Sequence, residues 1–223
     1  MGYLTTASGN QSTAMGGSTT ASGNQSTAMG DNTTASGTYA VAMGYFTTAS
    51  GNQSTAMGRS TTASGSRSTA MGYNTTASGA VSTAMGFGTT ASDYASLVIG
   101  QYNSSGSSAT SAGSFSTSNT AFVIGNGTNN SNKSDAFKVM FNGDTTVSND
   151  LTVSGDVNIS SDARLKSNIV SLGSTLTKLL QIDGKSYEMK GKQKIGVLAQ
   201  EIQEVFPELV SEDDNEMLAV NYQ

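Results

Sequence analysis

Small, polar and apolar residues recur along the N-terminal part of the chain with a period of seven. From Thr5 to Tyr102 the third place of each seven is Ala, up to Ala91, and the fifth place is Gly, up to Gly86. The fourth place alternates between Ser and Met, so the full repeat is fourteen residues long. The Met row consists of Met15, Met29, Met43, Met57, Met71 and Met85, and Ile99 continues it. Units this short and this similar bury their surfaces against one another, which predicts a solenoid.

A coiled coil also has a sevenfold period, but it needs two large apolar residues per seven and tolerates Gly at a cost of about 1 kcal/mol each. The pattern instead favours about five residues of Thr-rich strand, then a turn at the Gly and the two variable places after it. Two such strands make one coil of a parallel β-roll. Stacked coils place residue i beside residue i+14, at a spacing of about 4.8 Å.

The alternation of a strand puts places two and four of each seven on one face and places one, three and five on the other. A narrow roll needs the small Ala and Gly face inside, and the Met row then lies on the outside. An exposed ladder of Met is a sticky surface, so we expect two further copies of the chain to cover it. In the alternative packing, Met fills the roll interior opposite Ser.

Composition narrows the possible functions. The 223 residues include no Cys, no His and no Trp, which excludes disulfides, thiolate chemistry, the usual zinc sites and a Ser-His-Asp triad. The net charge is -5, and no basic patch offers a site for nucleic acid. No apolar run reaches the length of a membrane span. We therefore expect no cofactor, no metal, no nucleic-acid partner and no membrane insertion in this chain.

The pattern changes twice after the repeats, which predicts three parts. These are a β-roll head at 1–102, a β-stranded neck at 103–160 and a C-terminal domain at 161–223. In the neck, AFVIGNG at 121–127 echoes SLVIGQY at 96–102, and short alternating strands with Asn-Gly-Asp and Ser-Gly-Asp turns follow. Such a small strand pair cannot bury a core alone, which again indicates partner chains.

In the C-terminal part, Leu, Ile and Lys replace the Thr, Ser and Gly of the repeats, which predicts a small α+β domain. The pattern predicts helices near 162–168 and 174–180, a strand at 186–190 and a final strand at 217–222. Another helix before Pro207 carries one apolar stripe. The stripe consists of Ile195, Leu198, Ala199, Ile202, Val205 and Phe206.

Both ends of the chain resemble known families. The paired ASG and AMG sevens resemble the head repeats of YadA-like trimeric autotransporter adhesins, which implies a left-handed parallel β-roll and a homotrimer. The blocks SSDARLKSNI, GKSYEMK, IGVLAQEIQEVFPELV and LAVNY resemble the intramolecular chaperone auto-processing domain of phage tailspikes, tail fibres, endosialidases and myelin regulatory factors. Together the resemblances imply a fibrous adhesin segment on a virion or a bacterial cell surface.

The second resemblance also implies self-cleavage, since that domain cuts itself free before a Ser and uses a Lys five places later as general base. Carried over, the Ser160–Ser161 bond is cut, Ser161 is the nucleophile and Lys166 is the base. A Lys must be neutral to act as a base, which needs burial or cationic neighbours such as Arg164 to lower its pKa. The chain would then be a single-turnover serine peptidase. Five residues place the two side chains apart on a regular helix or strand, so either a turn intervenes or the Lys comes from another subunit. In the alternative interpretation, this segment is only a helix start capped by Asp162.

Aromatic residues follow several of the Met sevens and would line one edge of the rod. They are Tyr3, Tyr45, Phe46, Tyr73, Phe87 and Tyr102. They are candidates for binding a host-surface glycan or protein receptor, and packing on a neighbouring subunit is the alternative. Two other functions compete with the adhesin, namely an ice-binding or purely structural solenoid with an uncleaved cap, and a released regulator.

The two ends of the sequence carry expectations of their own. Met1 and Gly2 are in phase with the repeat, which predicts a longer array upstream. The chaperone resemblance implies a long helix after the final Tyr, so we expect that domain to be truncated at Gln223.

Overall fold

The structure, a computed structural model, describes residues 2–154, 156–157, 160, 162–173, 175–212 and 216–221. The chain divides into two compact units, Met1–Thr152 and Val153–Gln223. The first unit is a parallel β-solenoid with a hairpin at one end. The second is a small α+β unit.

Short and long strands alternate in the solenoid. The short strands are β1 (Thr6–Ala7), β3 (Thr20–Ala21), β5 (Thr34–Ala35), β7 (Thr48–Ala49), β9 (Thr62–Ala63), β11 (Thr76–Ala77) and β13 (Thr90–Ala91). The long strands are β2 (Thr13–Gly17), β4 (Thr27–Asp31), β6 (Val41–Tyr45), β8 (Thr55–Arg59), β10 (Thr69–Tyr73), β12 (Thr83–Phe87) and β14 (Leu97–Gln101). The expectation of equal five-residue strands is therefore wrong for the Ser sevens.

The backbone hydrogen bonds explain this difference between the two strand types. In the first Ser seven, the N–H groups of Ser8 and Gly9 both donate to the carbonyl of Ala21, at 3.0 and 3.3 Å, so the ladder ends there and the chain turns. In the Met sevens the ladder continues through the Gly. Gly16, for example, lies inside β2 with φ of 119°.

The register confirms a repeat of fourteen. Every short strand pairs in parallel with the next short strand, and every long strand with the next long strand. Thr20 lies beside Thr34, and Met29 beside Met43. Identical residues therefore form ladders along two sheets.

The interior of the roll is lined by the small residues. The third-place Ala residues from Ala21 to Ala91 are completely buried, as are the first-place hydroxyl residues such as Thr33 and Ser54. The Met side chains of the long strands lie outside and remain half-exposed in a single chain. The packing with Ala inside is thus confirmed, and the alternative with Met in the interior is wrong.

The echo of the repeat is confirmed, and the strands predicted for the neck continue the roll. Strand β15 (Thr120–Asn126) pairs in parallel with β14 and sets Val123 beside Val98, both fully buried. Strands β16 (Asp135–Met140) and β17 (Thr145–Val147) then add antiparallel at the edge of the same sheet. These strands share the core of the roll because they extend its long-strand sheet.

A loop at 103–119, which we call the cap loop, covers the end of the short-strand sheet. Asp93 stands where earlier repeats have Gly, and only 1% of it is exposed. Its carboxylate accepts hydrogen bonds from the backbone N–H groups of Thr110 (2.6 Å), Ser111 (3.3 Å) and Thr120 (2.9 Å). Asn103 Oδ1 accepts the N–H of Thr90, and Asn103 Nδ2 donates to the carbonyl of Thr90, at 2.8 Å each. The side chain thus makes the two hydrogen bonds that the backbone of a further coil, or rung, of the roll would make.

Asp93→Ala is expected to lower the unfolding midpoint of the first unit. The substitution leaves the buried N–H of Thr120 without an acceptor, at about 1–3 kcal/mol, and also frees the partly buried N–H groups of Thr110 and Ser111. Thermal unfolding followed by circular dichroism measures the change, and Asp31→Ala, at an exposed position in the repeats, serves as the control. Equal midpoints for the two variants would show that Asp93 does not hold the cap.

The second unit contains short elements. They are a 3-10 turn (Ala163–Leu165), α1 (Leu176–Leu179), β18 (Lys185–Met189), β19 (Lys192–Gly196), α2 (Ala199–Val205), a 3-10 turn (Pro207–Leu209), β20 (Val210–Glu212) and β21 (Leu218–Val220). Strands β18 and β19 form one antiparallel hairpin, and β20 pairs with β21. The pKa of Lys185 is raised by hydrogen bonds to Asp183 (2.7 Å) and to Glu201 of α2 (3.1 Å).

Two helix predictions for this unit need correction. The helix expected at 162–168 is only the 3-10 turn. Ile195 belongs to β19 and is 85% exposed, so it does not share the stripe of α2. Ile202 and Phe206, which do lie on that stripe, are buried. Within the described residues, no helix has the length and apolar character needed to cross a bilayer.

Candidate functional site

The segment at the expected cleavage point begins with an exposed Ser160 and a capped turn. Asp162 is the N-cap of the 3-10 turn, and its carboxylate accepts a hydrogen bond from the N–H of Arg164 at 2.8 Å. The capping role expected for Asp162 is therefore confirmed. Ser161, the expected nucleophile, lies outside the described residues.

Arg164 pairs with Asp162 through its side chain as well. The guanidinium Nη2 lies 2.7 Å from Oδ2 of the carboxylate. These hydrogen bonds hold the pKa of Asp162 below its usual value and raise the pKa of Arg164. A lowered carboxyl pKa means that the cap is present at neutral pH and is lost as the pH falls through that pKa. Arg164, the cation expected to lower the pKa of Lys166, is thus paired with the carboxylate of Asp162.

Lys166 directly follows the turn and has an extended backbone, with φ of -118° and ψ of 145°. Its N–H donates to the carbonyl of Ala163 at 3.1 Å, and the residue is exposed. The stretch between the expected nucleophile and the expected base therefore contains a turn. A meeting of the two side chains, within one chain or between subunits, stays a prediction.

A second candidate surface lies on the long-strand sheet. The half-exposed Met residues of successive rungs stand side by side, in the register Met43–Met57 and Met57–Met71. We call the row from Met15 to Met85 the Met ladder. Long apolar stripes of this kind are typical of protein–protein interfaces.

The aromatic edge predicted from the sequence exists, and it includes a cation. Tyr73 and Phe87 stack in parallel with ring centroids 4.8 Å apart, and Tyr102 meets Phe87 edge-on at 5.2 Å. The guanidinium of Arg59 lies 5.5 Å from the ring centroid of Tyr45 and 5.4 Å from that of Tyr73. The ring faces inside this row are thus covered by one another or by Arg59, which favours a structural role over sugar stacking. The sequence contained the signal, because Arg59 is fourteen residues from both Tyr45 and Tyr73.

Family models match both units. The model of the YadA head domain repeat matches in seven overlapping windows that together cover residues 1–103. The model described as the chaperone of endosialidase matches residues 161–211. The chain joins YadA head repeats to a chaperone-of-endosialidase domain. No curated protein matches the chain.

The match to the chaperone of endosialidase begins at Ser161 and includes Lys166 and α2. The matches to the YadA head repeats cover all strands from β1 to β14. Residues 104–160, which include β15, β16 and β17, lie outside both matches.

Neither unit shows a metal centre in the part of the chain that the structure describes. No group of three or more His, Cys, Asp or Glu side chains comes together there.

Proposed function

We propose that this chain is a segment of a trimeric fibrous adhesin or phage tail fibre whose chaperone domain directs trimer assembly and then cuts itself free. The observation that carries the proposal is the order of the two matches, with adhesin head repeats at 1–103 followed by a chaperone domain from Ser161. Both families are typical of surface or tail-fibre proteins, so we place the chain on a virion or a bacterial cell surface.

The Met ladder supports the trimer. One chain leaves this row on the outside of the long-strand sheet, whereas the third-place Ala residues already fill the interior. Three rolls around a common axis would bury the three Met ladders against one another. The outer Ser row on the opposite sheet would then face water, and Ser22, Ser36, Ser50 and Ser64 are indeed exposed in the single chain.

The cleavage step uses Ser161 and Lys166. Ser161 Oγ attacks the carbonyl carbon of Ser160, and the neutral amine of Lys166 accepts the hydroxyl proton. Lys166 returns this proton to the leaving nitrogen as the C–N bond breaks, which leaves Ser160 joined to Ser161 Oγ by an ester and gives Ser161 a free amine. Water then opens the ester to a Ser160 carboxylate and restores the hydroxyl. The Lys must be uncharged to act as a base, which requires burial or nearby cations in the reacting state.

The decisive experiment compares the masses of full chains after expression. We expect the native sequence to give fragments 1–160 and 161–223, Ser161→Ala to give none, and Lys166→Arg to give none because its guanidinium stays protonated. Ser160→Ala keeps the nucleophile and the base and is the matched control, expected to cut normally. Cleavage in Ser161→Ala would refute the assignment of the nucleophile.

A further inference from the structure

A polar cavity of about 340 Å³ opens where the cap loop, the end of β15 and the β16–β17 hairpin meet. It lies in a part of the chain that neither family model covers. Its wall includes Ser104, Asn126, Lys133, Lys138, Thr146 and Ser148. All of these residues belong to the first unit, so the cavity is complete within one chain.

The wall is held in place by hydrogen bonds across its segments. The carboxylate of Asp135 accepts the N–H groups of Ser104 and Ser105, at 2.8 Å each, and so fixes the cap loop to the start of β16. Ser134 Oγ donates to Asn126 Oδ1 at 2.7 Å. Ser148 Oγ donates to the carbonyl of Asp135 and so fixes the far end of the hairpin. A cavity fixed at these points is formed before any ligand arrives, which lowers the cost of binding.

The hairpin presents its polar face to this cavity. Lys138 is directly opposite Thr146, whereas their neighbours Phe137 and Val147 pair on the other face. Phe137 contacts Phe122 of β15, with ring centroids 6.0 Å apart. The apolar face of the hairpin is therefore used for packing, and its polar face is left for a ligand.

The charge of the cavity points to an anion. Residues 1–152 contain only four basic side chains, Arg59, Arg67, Lys133 and Lys138, and the last two line this one cavity. Neither Lys has an ion-pair partner among the described residues. The carboxylate of Asp135 also lines the cavity and keeps its charge although two backbone N–H groups bind it. Two ammonium groups against one carboxylate leave the wall with a net positive charge, which favours a negatively charged group.

We propose that this cavity binds a sugar unit that carries a carboxylate. The two Lys ammonium groups would bind the carboxylate, and the hydroxyls of Thr146 and Ser148 would bind the hydroxyls of the sugar. The volume falls within the range of small-molecule sites, about 300–1,000 Å³. As a receptor site, the cavity rests on the proposed adhesin function, because it names the class of receptor that the fibre would bind.

Calorimetry on the full chain with methyl glucuronide and methyl glucoside tests the proposal. The two probes differ only at C6, where the glucuronide has a carboxylate and the glucoside a hydroxymethyl group. We expect the glucuronide to bind at least ten times more tightly than the glucoside, and the variant Lys133→Gln/Lys138→Gln to lose that difference. Arg67→Gln removes one positive charge at an exposed position on the head repeats, and this control should bind as the native chain does.

Three results would overturn the proposal. They are equal binding of both sugars, glucuronide binding that survives in the double Lys variant, and inorganic sulfate that competes as well as the glucuronide, which would indicate a simple anion site. Light scattering and mass spectrometry on the same samples report trimer formation and cleavage separately. Binding without a trimer would contradict the proposed function alone, whereas a cleaved trimer that does not bind the glucuronide would contradict this inference alone.

Discussion

Gly58→Ala is expected to prevent the head from folding. Gly58 has φ of +121°, and a Cβ there would lie 2.1 Å from the carbonyl oxygen of Gly72 and 3.0 Å from its carbon. Both are backbone atoms of the neighbouring rung, so the clash can be relieved only by moving the ladder itself. We expect a loss of more than about 4 kcal/mol, the range of the most damaging substitutions. Thermal unfolding and size-exclusion chromatography measure it.

Gly17→Ala is the matched control for this experiment. A Cβ at Gly17 would meet only the side chain of Asp31, with Oδ1 at 3.0 Å, and that side chain can move. Its backbone also lies outside the left-handed region. The control should unfold close to the native midpoint. A Gly58→Ala protein as stable as Gly17→Ala would mean that the rungs are not packed at this spacing.

The double variant Met57→Asp/Met71→Asp is expected to break the trimer. A trimer built on the Met ladder would bury six carboxylates, two per chain, and each desolvated charge costs several kcal/mol without a partner. In one chain both side chains are half-exposed, so the roll itself should fold. Light scattering on an uncut Ser161→Ala background should give three times the chain mass of 22.7 kDa without the Met substitutions and a single chain with them.

The control for the Met ladder lies on the other sheet. Ser50→Asp/Ser64→Asp adds the same two charges at exposed positions of the Ser row and should leave the trimer intact. Dissociation in this control, with a trimer that tolerates Met57→Asp/Met71→Asp, would place the subunit contact on the Ser face instead.

The repeat was the part of the fold that the sequence predicted best, for a physical reason. Strand alternation and a fixed period together decide which side chains share a face. They left two packings open, and the narrow width of the roll favoured the one with Ala inside, which is the packing observed. The unequal strands did not follow, because they depend on two N–H groups, those of Ser8 and Gly9, that meet one carbonyl. The pattern of side chains does not indicate which backbone N–H groups share one acceptor.

The cap could not be derived because it joins residues far apart in the sequence. Asp93 binds N–H groups as distant as that of Thr120, and no periodicity connects them. The one available signal was that Asp93 interrupts the Gly row. At the candidate cleavage segment, local chemistry was enough to predict the Asp162 cap, because capping involves residues within one turn. A meeting of Ser161 with Lys166 depends on tertiary or intersubunit contacts, and it stays a prediction.

The uniform register of the head allows its length to vary by whole repeats. Because each rung meets its neighbours through the same Ala, Gly and Met ladders, inserting or deleting one fourteen-residue unit preserves these ladders in the remaining rungs. Each such event would change the length by about 4.8 Å. Unequal recombination within the gene could therefore lengthen or shorten the head repeats without a loss of folding.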